Sequence, residues 1–215
     1  MGKEFSAKNC RRNPTQERSR FTVEAILDAA VQVFEQHGYA AGTTARIAER
    51  AGVSVGSLYQ YFPNKDAILV ALADQHIAEC HTLANQIFAH VQAIECSLDQ
   101  SLRLIVGGFI ELHTINPQIH QLLYEKVILP EEIQKKLMVV LQTITKQIRE
   151  LLAQYAVIRE ESLDMTAYII VQIAEHLTHQ LVLHPPYEMT AETQIEEVVR
   201  VLQGYIQQQS SQLNT

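Results

Sequence analysis

The sequence predicts an all-α protein, and three observations lead there. Apolar residues recur at intervals of three and four along most of the chain, the spacing of helices buried on one side. The runs open on Ser, Thr, Asn or Pro and several close near Gly or Pro, the residues that start and stop helices. No stretch alternates polar and apolar as a strand would, and no internal repeat is present. Of 215 residues 47% are hydrophobic while Gly and Pro number only 8 and 6, so there is core-forming material and little loop chemistry.

In chain order, residues 1–20 have almost no apolar content and carry six basic against two acidic residues. They read as a flexible basic arm, either solvated or with Arg11, Arg12, Arg18 or Arg20 reaching a phosphate or a minor groove. Helix 1 is predicted from Val23 to His37, capped by Thr22 with Phe21 and Ile26 as a hydrophobic staple. Ile26, Ala30, Val33 and Phe34 form its buried face, Gly38 ends it and Tyr39 packs back. Thr43 or Thr44 then caps helix 2, whose small apolar face is Ile47, Ala48 and Ala51. Gly52 supplies the left-handed residue that stops it.

Ser54 can cap a third helix of about two turns, closed before Pro63. Leu58 and Phe62 stand four apart and share its buried face. Val55, Gly56, Ser57, Tyr59, Gln60 and Tyr61 are left pointing largely outward, an odd set for a merely solvated surface. This is helix-turn-helix spacing. Helix 4 follows from Asn64 to about Val91 through Ile68, Leu72, Ile77, Leu83 and Phe88. Lys65 falls in its first turn, where the helix dipole disfavours a cation, a mismatch that suits a phosphate partner.

Five more helices are expected: Ser97 to about Thr114, Pro117 to Val127, Pro130 to about Tyr155, Ser162 to His184, and about Thr190 to Gln209. Gly107 and Gly108 permit close packing or a kink in the first of these. In the fourth, Leu163, Ala167, Ile170, Ala174, Leu177 and Leu181 step like a coiled-coil seam, while Ile169, Ile173, His176 and Leu183 make the opposite side apolar too. A helix apolar on two sides must be buried on two sides. Ile195, Val198, Val199, Leu202, Tyr205 and Ile206 give the last helix a matching stripe. The simplest arrangement pairs these two helices with their twins in a four-helix dimer interface, made by the Leu163–Leu181 seam with Val198, Leu202 and Tyr205; both lying inside one core is the alternative.

Charge is uneven. Net charge is −7, yet residues 1–66 hold nine basic against seven acidic groups and residues 67–215 hold eight against seventeen. Phosphate contact therefore belongs to the N-terminal part, while the acidic remainder keeps other surfaces off polyanions. Cys10, Cys80 and Cys96 are odd in number and unpatterned, which points to a reducing cytosol rather than a disulfide framework or a zinc motif. The N-terminal residues lack the apolar segment of a secretory leader, and no run is long and apolar enough for a membrane span.

The stretch GTTARIAERAGVSVGSLYQYFPNKDAIL closely resembles the DNA-binding signature of the tetracycline-repressor (TetR) family of bacterial regulators, over about Phe21 to Ile77. Beyond residue 80 the likeness is to the family's helical layout alone. The resemblance implies a helix-turn-helix domain over 21–66, and a ligand-binding and dimerisation domain over 67–215 in which the last two long helices dimerise. It also implies a palindromic double-stranded DNA operator and control by a small molecule. Carried over by position, Val55 to Tyr61 is the recognition helix, opened by Ser54. Ser57 and Gln60 would bond base edges, Val55 would touch a thymine methyl, and Gly56 would allow close backbone approach. Tyr59, Tyr61 and Lys65 would meet phosphates, as would Thr43, Thr44 and Arg46, with Arg46 able to reach a base. Tyr61 stands where the family often has histidine and position 60 varies, so operator sequence does not transfer.

The resemblance further implies an apolar cavity among helices 4 to 8 for an apolar or aromatic ligand. Candidate lining residues are Phe88, Phe109, His113, Tyr124, Met138, Tyr168 and His176, each of which could equally serve the core. His176 and His179 sit three apart with Glu175 before them and His184 beyond, but such pairs are common by chance among nine histidines, so no metal site is expected. No nucleophile-elbow, zinc-protease, phosphate-loop or dinucleotide fingerprint occurs, so no enzyme and no cofactor are expected. The favoured reading is a ligand-responsive homodimeric repressor in the cytoplasm; a DNA-binding regulator controlled by a protein partner is the alternative.

Overall fold

A computed structural model describes residues 17–155 and 158–211, and among these residues every regular element is a helix, with no strand. The helices are α1 (Glu17–Ala41), α2 (Thr44–Arg50), α3 (Val55–Tyr61), α4 (Lys65–Ala93), α5 (Leu98–Ile115), α6 (Pro117–Gln121), α7 (Glu131–Gln154), α8 (Glu160–Leu183) and α9 (Ala191–Ser211). The all-α expectation is met. No helix among the described residues is long and apolar enough to cross a membrane.

Most ends fall where the capping residues put them. Thr43 Oγ1, Ser54 Oγ, Asn64 Oδ1 and Ser97 Oγ each accept a backbone N–H three residues on, opening α2, α3, α4 and α5. At Ser97 the bond is reciprocal, Gln100 Oε1 accepting the Ser97 N–H at 2.9 Å. Three departures are informative. Helix α1 starts at Glu17, within the stretch expected to be a flexible arm, so Thr22 is interior and not a cap. Phe21 is 64% exposed and makes no staple with buried Ile26. Ser19 Oγ donates to Tyr61 Oη at 3.2 Å, and this tie supports the early start. Arg11 and Arg12 of the arm, like Cys10, lie outside the described residues.

Gly38 breaks α1 in a left-handed conformation (φ 72°), and Tyr39 folds back with its ring 5.0 Å from that of Phe34. The sixth helix does not run regularly to Val127: after Gln121 it widens into a π-helical turn, Leu122–Lys126. Leu122 and Leu123 are both buried there, and a widened turn turns adjacent side chains to one side.

The chain forms two compact units. The first comprises the described residues up to Ala78 together with Gln118–Lys135. Its core gathers Ile26, Ala30 and Phe34 of α1, Ile47 of α2, Leu58 of α3, then Phe62, Ile68 and Leu72, all nearly or fully buried. The second unit comprises Glu79–Pro117 and residues from Lys136 onward, with α5 packed on both α8 and α9. Its core includes Phe88, Leu102, Val106, Phe109, Ile148, Leu152, Leu163, Ile170, Val198 and Leu202. Tyr155 Oη donates to the Cys96 carbonyl at 2.5 Å, fastening the end of α7 to the start of α5. Gly107 and Gly108 leave α5 unkinked, and a Cβ on Gly108 would stand 2.0 Å from Ile87 Cδ1, so this glycine serves close packing of α4 on α5.

The assignment of the α8 seam to a dimer interface is corrected for its fully buried members. Leu163, Ala167, Ile170 and Ala174 are buried in the core of one chain, as are Val198 and Leu202, while Leu177, Leu181 and Tyr205 pack against that core half-buried. The two alanines let α8 approach its neighbours in the same chain. The exposed side of α8 is instead Met165, Tyr168, Gln172 and His176, and that of α9 is Glu197, Val201, Gly204 and Gln208.

Candidate nucleic-acid interface

The helix-turn-helix is built by its backbone. At the end of α2 the Val53 N–H reaches the Ala48 carbonyl at 3.0 Å and the Gly52 N–H the Glu49 carbonyl at 3.1 Å. This doubled closure requires a left-handed residue, and Gly52 takes it at φ 67°. Leu58 of α3 is then fully buried against the unit's core, which fixes the roll of α3 about its axis.

What that roll turns outward matters. Val55 is 41% exposed and Tyr59 43%; Gly56 and Gln60 are exposed, while Ser57 is half-buried. A methyl group added at Gly56 would find Ser54 Oγ at 3.8 Å and nothing nearer. Neither packing nor backbone conformation within the chain therefore demands glycine at that position. A partner's backbone closing on α3 would.

Neighbouring side chains brace this face. Thr44 Oγ1 and Tyr59 Oη lie 3.1 Å apart, joining the first turn of α2 to the outer side of α3. Ser54 Oγ and Ser57 Oγ lie 2.8 Å apart, so the capping serine also orients Ser57. Arg46 is exposed, and its guanidinium makes a long contact to the Ala41 carbonyl, 3.4 Å. Thr43 is exposed beside it. Thr43, Thr44, Arg46, Val55, Gly56, Ser57, Tyr59 and Gln60 are all contributed by one rigid pair of short helices.

Two expected members of the set are placed differently. Tyr61 points inward, at 8% exposure, with its hydroxyl accepting from Ser19. Three residues beyond the inward-facing Leu58, it shares that helix side. Lys65 is half-buried: its Nζ donates to the Tyr39 carbonyl at 2.7 Å and the Ala40 carbonyl at 3.1 Å, and stands 4.4 Å from the Tyr39 ring centre. The ammonium thus closes the kinked end of α1. Tyr39 in turn donates its hydroxyl to Asp66, and burial together with that carboxylate pushes the phenol well above its ordinary range. Neither this clasp nor the bond from Arg50 Nε to Gln32 Oε1 at 2.7 Å was foreseen from the sequence. Both join residues far apart in the chain, with no local spacing to mark them.

The expected ligand residues differ in their surroundings among the described residues. Phe88 and Phe109 border a void of about 10 Å³ in the core of the second unit, about the space of one water. His113 is buried in that unit, whereas Met138, Tyr168 and His176 are exposed; Tyr124, also exposed, belongs to the first unit. A larger open cleft of about 420 Å³ lies between α4, α5 and α9. It sets Ile87, Leu104 and Ile195 beside His90, Arg103 and Glu111, none of which the sequence reading singled out as a ligand contact.

Residues 26–72 match a family described as bacterial regulatory proteins, tetR family, and residues 97–206 match a tetracyclin repressor-like C-terminal domain. Among curated proteins, the chain is 41% identical over 54 residues to the fatty acid metabolism regulator protein of Bacillus subtilis, a match over 25% of this chain and 28% of that one. It spans less than half the length of the curated relatives it matches. Among solved structures, the fatty acid degradation regulator FadR of Bacillus halodurans is similar at TM-score 0.66 and 21% identity, covering 85% of this chain and 95% of that one. FadR of Bacillus subtilis in complex with stearoyl-CoA is similar at TM-score 0.63 and 17% identity, over 85% and 97%. At such identities the likeness is one of fold.

Proposed function

The chain belongs to the TetR family of bacterial transcriptional regulators, and from that premise we propose a ligand-responsive repressor that binds a palindromic operator as a homodimer. The observation that carries the DNA half is the outward face of α3, where a glycine without internal purpose sits between exposed Val55 and Tyr59. Ser57 and Gln60 read base edges, Gln60 best suited to adenine, and Val55 meets a thymine methyl. Thr43, Thr44, Arg46 and Tyr59 hold phosphates and set the helix in the major groove. Lys65 acts at one remove, by fixing the end of α1 beside the start of α2.

Dimerisation uses the exposed sides of α8 and α9, centred on Met165, Tyr168 and Val201. One helix-turn-helix has few cationic groups, and two copies double its phosphate contacts. The effector is an acyl thioester, a reading supported by the similarity to the stearoyl-CoA-bound regulator and by the apolar Ile87, Leu104 and Ile195 beside Arg103 and Glu111 in the α4–α5–α9 cleft. It acts by binding the DNA-incompetent arrangement more tightly; a 100-fold preference supplies about 2.7 kcal/mol against the DNA-bound form.

Fluorescence anisotropy on a fragment recovered by genomic pull-down tests both halves. Log affinity should fall with log salt at a slope of several units, and long-chain acyl-CoA should release the fragment and raise the melting temperature of the free protein. A slope near zero would remove the DNA reading. Release by none of a panel of acyl thioesters, with the salt slope intact, would favour control by a protein partner.

A further inference from the structure

The second unit holds a histidine–carboxylate cluster that DNA binding does not use. On α8, Glu175 and His179 stand four residues apart and so share a face. His113 comes from the last turn of α5, the helix packed against α8. One donor atom from each of the three lies within 4.8 Å of the other two. His113 and His179 are buried and Glu175 half-buried, and the two rings meet edge to face with centres 5.5 Å apart.

The His113 ring is oriented from behind. Its Nδ1 lies 2.5 Å from the Phe109 carbonyl, a bond in which the ring nitrogen must be the donor. In the neutral ring that puts the lone pair on Nε2. A backbone carbonyl holding one imidazole nitrogen so that the other is a ligand is the usual support of a metal-binding histidine. The position also ends a helix, where the carbonyl dipoles favour positive charge.

We propose that His113, Glu175 and His179 bind a divalent transition-metal ion. Two imidazole nitrogens and one carboxylate oxygen suit zinc and its first-row neighbours, and offer too little oxygen for magnesium or calcium. The sequence pairs the wrong partner with Glu175: His176, one residue along, is exposed, and the second histidine comes from α5 instead.

The test uses full-length protein stripped with a chelator, without DNA, so its result stands apart from the fate of the operator reading. Calorimetry with zinc should give one ion per chain, and cobalt substitution should give visible absorption bands of low-coordinate geometry that zinc bleaches. His113→Asn, Glu175→Gln and His179→Asn should each weaken zinc by more than about tenfold, the lower bound for losing even a ligand's supporting partner. His37→Asn, an exposed histidine outside the cluster, should leave affinity unchanged. Circular dichroism reports whether the variants fold. If they do not, a zinc-edge anomalous map of wild-type crystals decides, with a peak expected among the three side chains. No saturable binding at one equivalent, wild-type affinity in folded Glu175→Gln and His179→Asn, or an anomalous peak elsewhere would each overturn the site and leave the cluster a hydrogen-bonded one.

Discussion

Among single residues, Gly56 separates folding from function most cleanly. Because a methyl there meets nothing nearer than 3.8 Å, Gly56→Ala should leave the fold intact and stabilise it by up to about 1 kcal/mol, glycine being a poor helix residue. The same methyl would hold the α3 backbone off a partner and should cost operator affinity tenfold or more. Thermal melting and anisotropy on the two proteins check this; equal affinity would mean that α3 does not approach DNA closely. Tyr61 and Lys65 teach the converse. Helix spacing turned Tyr61 outward, and the dipole mismatch and the family resemblance gave Lys65 a phosphate, yet one caps the core through Ser19 and the other clasps Tyr39.

Helix ends were legible where a side chain caps its own backbone, because that bond is local. Thr43, Ser54, Asn64 and Ser97 all behave as their chemistry indicates. The left-handed turn at Gly52 was legible for the same reason. Helix faces were less so: an apolar stripe states that something covers it, not whether the cover is the same chain or another. That is why the α8 seam read as an interface although α5 and α9 of the same chain bury it. The start of α1 was missed because its first turn is polar and its tie, Ser19 to Tyr61, spans 42 residues. Ala174→Leu tests the corrected seam. Overpacking this buried position should destabilise the chain by about 1–3 kcal/mol. The loss should be independent of protein concentration in denaturant titrations. A concentration-dependent loss would return the seam to the dimer interface.

In the whole molecule a modestly basic N-terminal third precedes an acidic remainder, and so few cationic groups should need a second copy to bind DNA well. Tyr168, 52% exposed in the middle of the free side of α8, should lie at the contact between copies. Tyr168→Glu should give monomers by analytical ultracentrifugation, with an unchanged helical spectrum and operator affinity weakened at least tenfold; a dimer of unchanged affinity would place the contact elsewhere. The family could be read from about the first third of the sequence, and the helical plan from apolar spacing along the whole chain. The α4–α5–α9 cleft and the histidine cluster could not, since each takes residues from helices far apart in the chain. Hydroxyl-radical footprinting of the wild-type protein on a recovered genomic fragment tests the central claim most directly. Two symmetric protected patches with centres about 34–36 Å apart, one turn of duplex, are expected if two α3 helices occupy successive major grooves. A single patch, or uniform cleavage at saturating protein, would contradict it.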